Sequence, residues 1–159
     1  MFCDRGGAVV ESRKRGMRMQ DRYLFRGKRI DNGEWVHGYL FDDGFENGRV
    51  FIGGIVIEKY NGTACDDWNV TGINFYEIDP NTICQCTGLN DKNGKLIWEN
   101  DIVEYRDCTT ERYVVAYEND KACFEYQQYG CSIMNFDEMS SVEVEVVGNV
   151  FDNPELLEV

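Results

Sequence analysis

The sequence predicts an all-β protein, and three observations carry that prediction. Asn-Gly pairs recur at 32–33, 47–48, 61–62 and 93–94, and both residues tolerate the positive φ that tight hairpin turns demand. The stretches around them are rich in β-branched and aromatic residues, and several alternate apolar with polar side chains, the period of a strand with one wet face. Helix signals are scarce. The best lies at the C-terminus, where Asn153 can cap, Pro154 fits the first helical position and ELLEV follows.

Taken in order, residues 1–18 hold five basic side chains (Arg5, Arg13, Lys14, Arg15, Arg18), two acidic ones (Asp4, Glu11) and no apolar period. They are expected to be a disordered or non-native extension. Residues 19–82 form the first module, with hairpins running from Tyr23 to about Asp79. In its strand EWVHGYLF, Trp35, His37 and Tyr39 fall on one face. Residues 83–159 form the second, a small SH3-like barrel from about Ile83 to Val150 closed by one short C-terminal helix.

Within that second module, Asp91-Lys92-Asn93-Gly94 reads as a hairpin tip, with Gly94 in the left-handed position. Glu99-Asn100-Asp101 lies between the apolar runs LIW and IV, so the chain must bend sharply while staying in a sheet. Asn100 is the residue there best able to take positive φ. The segment from Glu111 to Tyr129 reads as two strands joined at Asn119-Asp120, and VEVEVV (Val142 to Val147) as a half-buried strand. That strand has a charged face but an unprotected backbone, which points to sheet completion between subunits and a homo-oligomer.

The formal charge is −13, and since residues 1–18 carry +3 the remaining 141 residues carry −16. A body that acidic repels phosphate backbones, so direct nucleic-acid binding is not expected. The same acidity leaves two readings open: a solvated surface, or a mimic of nucleic acid that occupies a partner's binding site. No apolar run approaches the roughly 20 residues of a membrane span, and no secretory signal opens the chain. An intracellular location is expected. The seven cysteines, at 3, 65, 84, 86, 108, 123 and 131, are then free thiols first. Cys84 and Cys86 form the one close pair. As strand positions i and i+2 they sit too far apart for an unstrained disulfide, and a zinc site would need two further ligands beside the single His37.

Motifs for chemistry are sparse. There is no Walker loop, no Gly-x-Gly-x-x-Gly and no Cys-x-x-Cys. Glu99 and Asp101 could form a carboxylate pair for acid–base work or metal binding, but no nucleophile or second ligand pattern accompanies them, and turn-flanking acids are ordinary. His37 has no Ser, Cys or Asp partner in a recognisable motif, which favours a half-buried, hydrogen-bonded histidine. Asp42-Asp43 and Asp66-Asp67 read as turn residues. The basic run Arg26-Gly27-Lys28-Arg29 reads as a strand's wet face paired to local acids, and as the one spot where a phosphate or acidic partner could dock. Arg26, Lys28, Trp35, His37, Trp98, Glu99 and Asp101 are accordingly the interaction candidates.

Three blocks carry a family resemblance: YLFRGKRIDNGEWVHGYL (Tyr23–Leu40), YEIDPNTICQCTGLNDKNGKLIWENDIVEY (Tyr76–Tyr105) and EVVGNVFDNPELLE from Glu145. In this order, and over about half the chain, they resemble the YopX family of phage and prophage proteins. The resemblance implies a small β-rich protein in the cytoplasm of a bacterial host; enzymatic activity and a cofactor are no part of what it implies. The family tends to carry glycine at position 100 and an aromatic at position 37; the first agrees with a positive φ at Asn100, and the second weakens a catalytic role for His37. The family pattern begins near RYLFRG, which makes Met17 or Met19 a natural start. The function expected is a non-catalytic interaction module for a host or phage protein or for copies of itself. The acidic mimic is one alternative, and an enzyme with a carboxylate site at Glu99 and Asp101 is another.

Overall fold

Alternation and turn chemistry together lay down eleven strands in a computed structural model that describes residues 21–45, 48–59, 68–128, 131–135 and 143–158. The expectations for residues 1–18, for the Asn61-Gly62 turn, for Asn47 and for Asp66-Asp67 lie outside the described residues. The strands are β1 (Phe25–Lys28), β2 (Trp35–Asp42), β3 (Val50–Lys59), β4 (Trp68–Glu77), β5 (Cys84–Asn90) and β6 (Leu96–Trp98). After them come β7 (Asp101–Arg106), β8 (Thr110–Glu118), β9 (Cys123–Gln128), β10 (Cys131–Asn135) and β11 (Val144–Asn149). Among the described residues the remaining regular structure is single 3₁₀ turns, such as Pro80–Thr82 and Pro154–Leu157. No helix among the described residues is long and apolar enough to cross a membrane.

The strands form two antiparallel sheets. One has six strands in the order β4-β3-β2-β1-β5-β6, and the other has five in the order β10-β9-β8-β7-β11. The expected SH3-like barrel over residues 83–150 does not close. β5 pairs with β1 of the N-terminal half, through Phe25↔Gln85 and Arg26↔Cys84, and so leaves the C-terminal strands for the six-stranded sheet. The five-stranded sheet ends on β10 and β11, which do not pair with each other. The expected C-terminal helix shrinks to the 3₁₀ turn: Pro154 takes its predicted first position, but the Asn153 side chain makes no cap bond to it. That side chain accepts instead from the Asn149 amide at 3.4 Å.

Local chemistry places the turns. Gly33 (φ 72°) and Gly94 (φ 81°) are left-handed, as their Asn-Gly tips require, and Asn100 takes φ 62° at the predicted bend. Close strand approach sets another requirement: a Cβ on Gly53 would lie 1.9 Å from the Asn74 carbonyl oxygen of β4. Asn119-Asp120 joins β8 to β9 as expected, and the turn ends on Ala122 at φ 52°.

The core has two parts. Ile97, Val103, Tyr113, Val115, Tyr126, Val144 and Val146 pack together beneath the five-stranded sheet, and Cys84, Cys86 and Trp98 form a second cluster with Leu24, Trp35 and Phe151. Asn100 stands where the chain passes from one sheet to the other. Its amide donates to Val115 O at 2.7 Å and its carbonyl accepts from the Val150 amide at 3.0 Å.

Asp91 supplies the second junction. Its Oδ1 accepts from the amides of Asn93 (2.8 Å) and Lys95 (2.9 Å), and its Oδ2 accepts from the Val146 amide of β11 at 3.0 Å. Beside it the Lys92 amide donates to Val144 O at 2.9 Å. The outer edge of β11, read from sequence as an unprotected backbone, is therefore met by the β5–β6 hairpin tip.

The Asn100 geometry makes a direct prediction. Asn100→Gly should be neutral or stabilising by up to about 1 kcal/mol, because glycine reaches φ 62° without the Cβ clash, and the long contact it loses is a weak one. That contact is Asn100 Nδ2 to Cys84 Sγ at 3.7 Å. Asn100→Val should cost about 1–3 kcal/mol, since a β-branched residue is strained at positive φ. Urea unfolding midpoints of the two variants should fall on opposite sides of, or at and below, the parent's.

Candidate functional site

Strand register gathers the seven sequence candidates into one neighbourhood. β1 pairs with β2 as Arg26↔His37 and Lys28↔Trp35, so these four side chains share a face of the six-stranded sheet. Trp98 ends β6, Glu99 lies in the Asn100 bend and Asp101 opens β7. Arg26 is buried, not on a wet face as its basic run suggested, and Asp101 is buried at 1% exposure instead of flanking a turn in solvent.

The centre is an ion pair. Arg26 Nη2 donates to Asp101 Oδ1 at 2.6 Å, and Asp101 Oδ2 accepts from the Trp98 amide at 2.8 Å. The guanidinium carbon lies 4.9 Å from the Trp35 ring centre and 5.5 Å from that of Trp98, so the cation is held between two indole rings. Burial raises the Asp101 carboxyl above the usual carboxylate value, against the pull of Arg26. Arg26 Nε is buried without a hydrogen-bond partner.

Next to it the C-terminal segment closes over β1 and β2. Lys28 Nζ pairs with Asp152 Oδ1 at 2.5 Å, and the Trp35 indole N–H donates to Asp152 Oδ2 at 2.7 Å. The Trp35 and Phe151 rings are 5.8 Å apart. Asp152 has no part in the sequence candidates, and its role depends on a partner more than a hundred residues away. Hydrogen bonds from Lys28 first, and then Asn149, hold its carboxyl down at about 2. A carboxyl lowered on folding contributes stability that is complete above its unfolded value near 3.8 and is lost as pH falls toward about 2. Stability of the parent should thus decline between about pH 5 and pH 2, and Asp152→Asn should flatten that decline. Thermal melts across this range check it; the effect is softened by the carboxylate's partial exposure.

Glu99 turns away from Asp101. Its Oε2 accepts from the Gln85 amide at 3.2 Å, and partial burial raises its carboxyl. The two acids of the proposed pair are held by separate partners on either side of the Asn100 bend. The His37 ring lies 5.2 Å from that of Trp98, tilted by 52°, and desolvation of the imidazole, with the Arg26 charge second, holds it below its ordinary value. Burial pushes the Cys84 and Cys86 thiols up. No group of three His, Cys, Asp or Glu among the described residues is placed to hold a metal ion.

The basic run pairs throughout: Arg26 with Asp101, Lys28 with Asp152, and Arg29 with Asp31. Asp42 and Asp43 act in a turn, accepting from the amides of Gly44 and Phe45. The cluster of Arg26–Asp101 and Lys28–Asp152 pairs joins distant parts of the chain. It fixes the β1–β2 face to the second sheet and to the C-terminal turn.

The same face continues outward uncovered. Past His37, β2 presents Tyr39 and Phe41, opposite Gly53 and Phe51 of β3, and β4 adds Phe75 opposite Gly53. Phe75 lies 5.9 Å from Phe41 and 6.3 Å from Phe51, ring to ring. Tyr39, Phe41, Ile73 and Phe75 are 45%, 41%, 55% and 51% exposed. The sequence signal for this patch was the run of large side chains at alternate positions 35, 37, 39 and 41.

A crystal structure of protein EF1440 from Enterococcus faecalis has the same fold, with a TM-score of 0.52 and 23% sequence identity. The alignment covers 84% of this chain and 96% of that one. Comparison with curated proteins gives no match. The family model described as YopX protein matches residues 24–158, nearly the whole chain, and the protein belongs to the YopX family.

Proposed function

We propose that this is a phage- or prophage-encoded module of the bacterial cytoplasm that works by binding protein without catalysis. Its docking surface is the open aromatic face of β2, β3 and β4, and the occupant we assign to it is a second copy of the chain. The observation that carries the reading is that face: four large apolar side chains, each more than two-fifths exposed, on one sheet surface.

Charge selects the occupant. A chain at −13 would attract a basic partner through displayed acids, yet on this face the described acidic neighbour is Glu77, opposite Phe51. A mainly aromatic surface, with the Arg49 guanidinium 5.7 Å from the Phe51 ring centre and Glu77 opposite Phe51 at its margin, suits a self-complementary contact in which both acidic bodies point outward. β4, at the end of its sheet, can extend the pairing between copies.

The mimic reading is weaker because several acids are spent inside the fold: Asp91, Asp101, Glu104 and Glu125 are buried. Glu104, for example, lies between Arg106 and Arg112. The carboxylate-enzyme reading is weakened by the separate partners of Glu99 and Asp101.

Sedimentation equilibrium of the full chain at micromolar concentration tests the proposal. A dimer or larger species that Phe75→Asp converts to a folded monomer is the expected result. A monomeric parent overturns self-association, and an oligomer indifferent to Phe41→Asp and Phe75→Asp overturns the choice of face.

A further inference from the structure

A cleft of about 590 Å³ opens on another part of the molecule, between β5 and the β8–β9 turn. Its size is within the range that holds small ligands. Arg22, Gln85, Leu89, Tyr117, Lys121 and Phe124 contribute to its wall. The charge of that lining is unusual for this chain. The sequence has 29 acidic and 16 basic residues, yet the cleft is lined by two cations and no carboxylate.

The two cations come from separate segments and are held differently. Lys121 is anchored by Glu125 at 2.9 Å. Arg22 is exposed, makes no ion pair among the described residues, and lies 5.9 Å from the Tyr23 ring centre. Its segment is fixed to the cleft floor: Gln85 Nε2 donates to Arg22 O at 3.4 Å and the Cys86 amide to Leu24 O at 2.9 Å.

The apolar part of the wall is also ordered. Tyr117 and Phe124 pack edge to face at 5.1 Å, and Leu89 and Phe124 pack against the core. Between the cationic and aromatic parts sits Ala122, the one described residue besides Asn100 that takes a positive φ without being glycine. Such backbone is held only where the surroundings impose it.

We propose that this cleft binds a small organic anion, a carboxylate or phosphate borne on an apolar or ring-bearing body. Arg22 and Lys121 take the charged group, and Leu89, Tyr117 and Phe124 receive the body. Two thiols, the buried Cys86 and the partly buried Cys123, also line the cleft.

Calorimetric titration of the full chain with AMP, benzoate, inorganic phosphate and adenosine tests this. AMP or benzoate should bind at millimolar concentration or below, more tightly than inorganic phosphate, which lacks a body, and than adenosine, which lacks the charge. A preference for AMP assigns a phosphate ligand, and one for benzoate assigns a carboxylate. Arg22→Gln should weaken the preferred probe by about tenfold, the scale of one charge-assisted hydrogen bond. Arg49→Gln, remote from the cleft, should leave binding unchanged. The proposal fails if neither anion binds, if adenosine binds as well as AMP, or if Arg22→Gln has no effect on a chain whose circular dichroism matches the parent's.

Discussion

Asp101→Asn should lower the unfolding free energy by about 3–5 kcal/mol, the range for removing one partner of a buried ion pair. The substitution preserves shape, and an amide oxygen can still accept from the Trp98 amide. What it removes is the countercharge of the guanidinium of Arg26, a residue only 8% exposed, held between Trp35 and Trp98. Arginine cannot shed its proton to escape, so the full cost of an unbalanced buried charge falls on the folded state. Arg26→Met in the parent should also be costly, since it strands Asp101. The double variant should be more stable than the sum of the two losses predicts, because removing both charges leaves nothing uncompensated. Urea unfolding of the four proteins measures this. A loss below about 1 kcal/mol in Asp101→Asn would mean that water reaches the pair and that the cluster is not the clamp described above.

Asp91→Ala should cost about 2–4 kcal/mol, although the residue lies at a hairpin tip where substitutions are ordinarily tolerated. Three backbone amides lose their acceptor at once, those of Asn93, Lys95 and Val146. The first two loosen the tip itself. The third frees the edge of β11 from the other sheet, so amide exchange at Val146 should accelerate more than exchange in β8 or β9. Lys92→Ala, which removes an exposed ion pair with Glu145 but keeps the backbone contact to Val144, should cost under about 1 kcal/mol. Equal losses in the two variants would show that the tip acts through charge and not through its carboxylate acceptors.

Features that depend on a few adjacent residues were legible in the sequence. The positive φ of Asn100 and Gly94 follows from what a Cβ and its absence permit, and the β8–β9 hairpin follows from alternation on both sides of Asn119-Asp120. Features that depend on distant partners were not. Nothing local to Cys84–Asn90 says that it pairs with β1, and that pairing is what prevents the expected barrel from closing. The candidate residues could be singled out one by one, but burial of Arg26 depends on an aspartate 75 positions away. Asp152 shows the same limit: its Asn-Pro context reads as a helix start, while its carboxylate serves Lys28 and Trp35. The alternation His37, Tyr39, Phe41 marked one face correctly. Which half of that face is covered was decided by where Phe151 docks.

The position of β1 carries a consequence for how the chain is made. It precedes the other ten described strands in the chain, yet it belongs in the middle of its sheet, between β2 and β5. β2 follows at once and can pair within a hairpin, but the other edge of β1 stays open until Cys84–Asn90 has been synthesised. Lys28 then waits for Asp152, 124 residues further on, before the C-terminal segment seals the cluster. A nascent chain stalled before β5 would expose an unpaired strand edge beside an aromatic face, the combination most prone to wrong association. Loss of Phe151 and Asp152, far in sequence from the strands they hold, would leave the finished sheet without its latch.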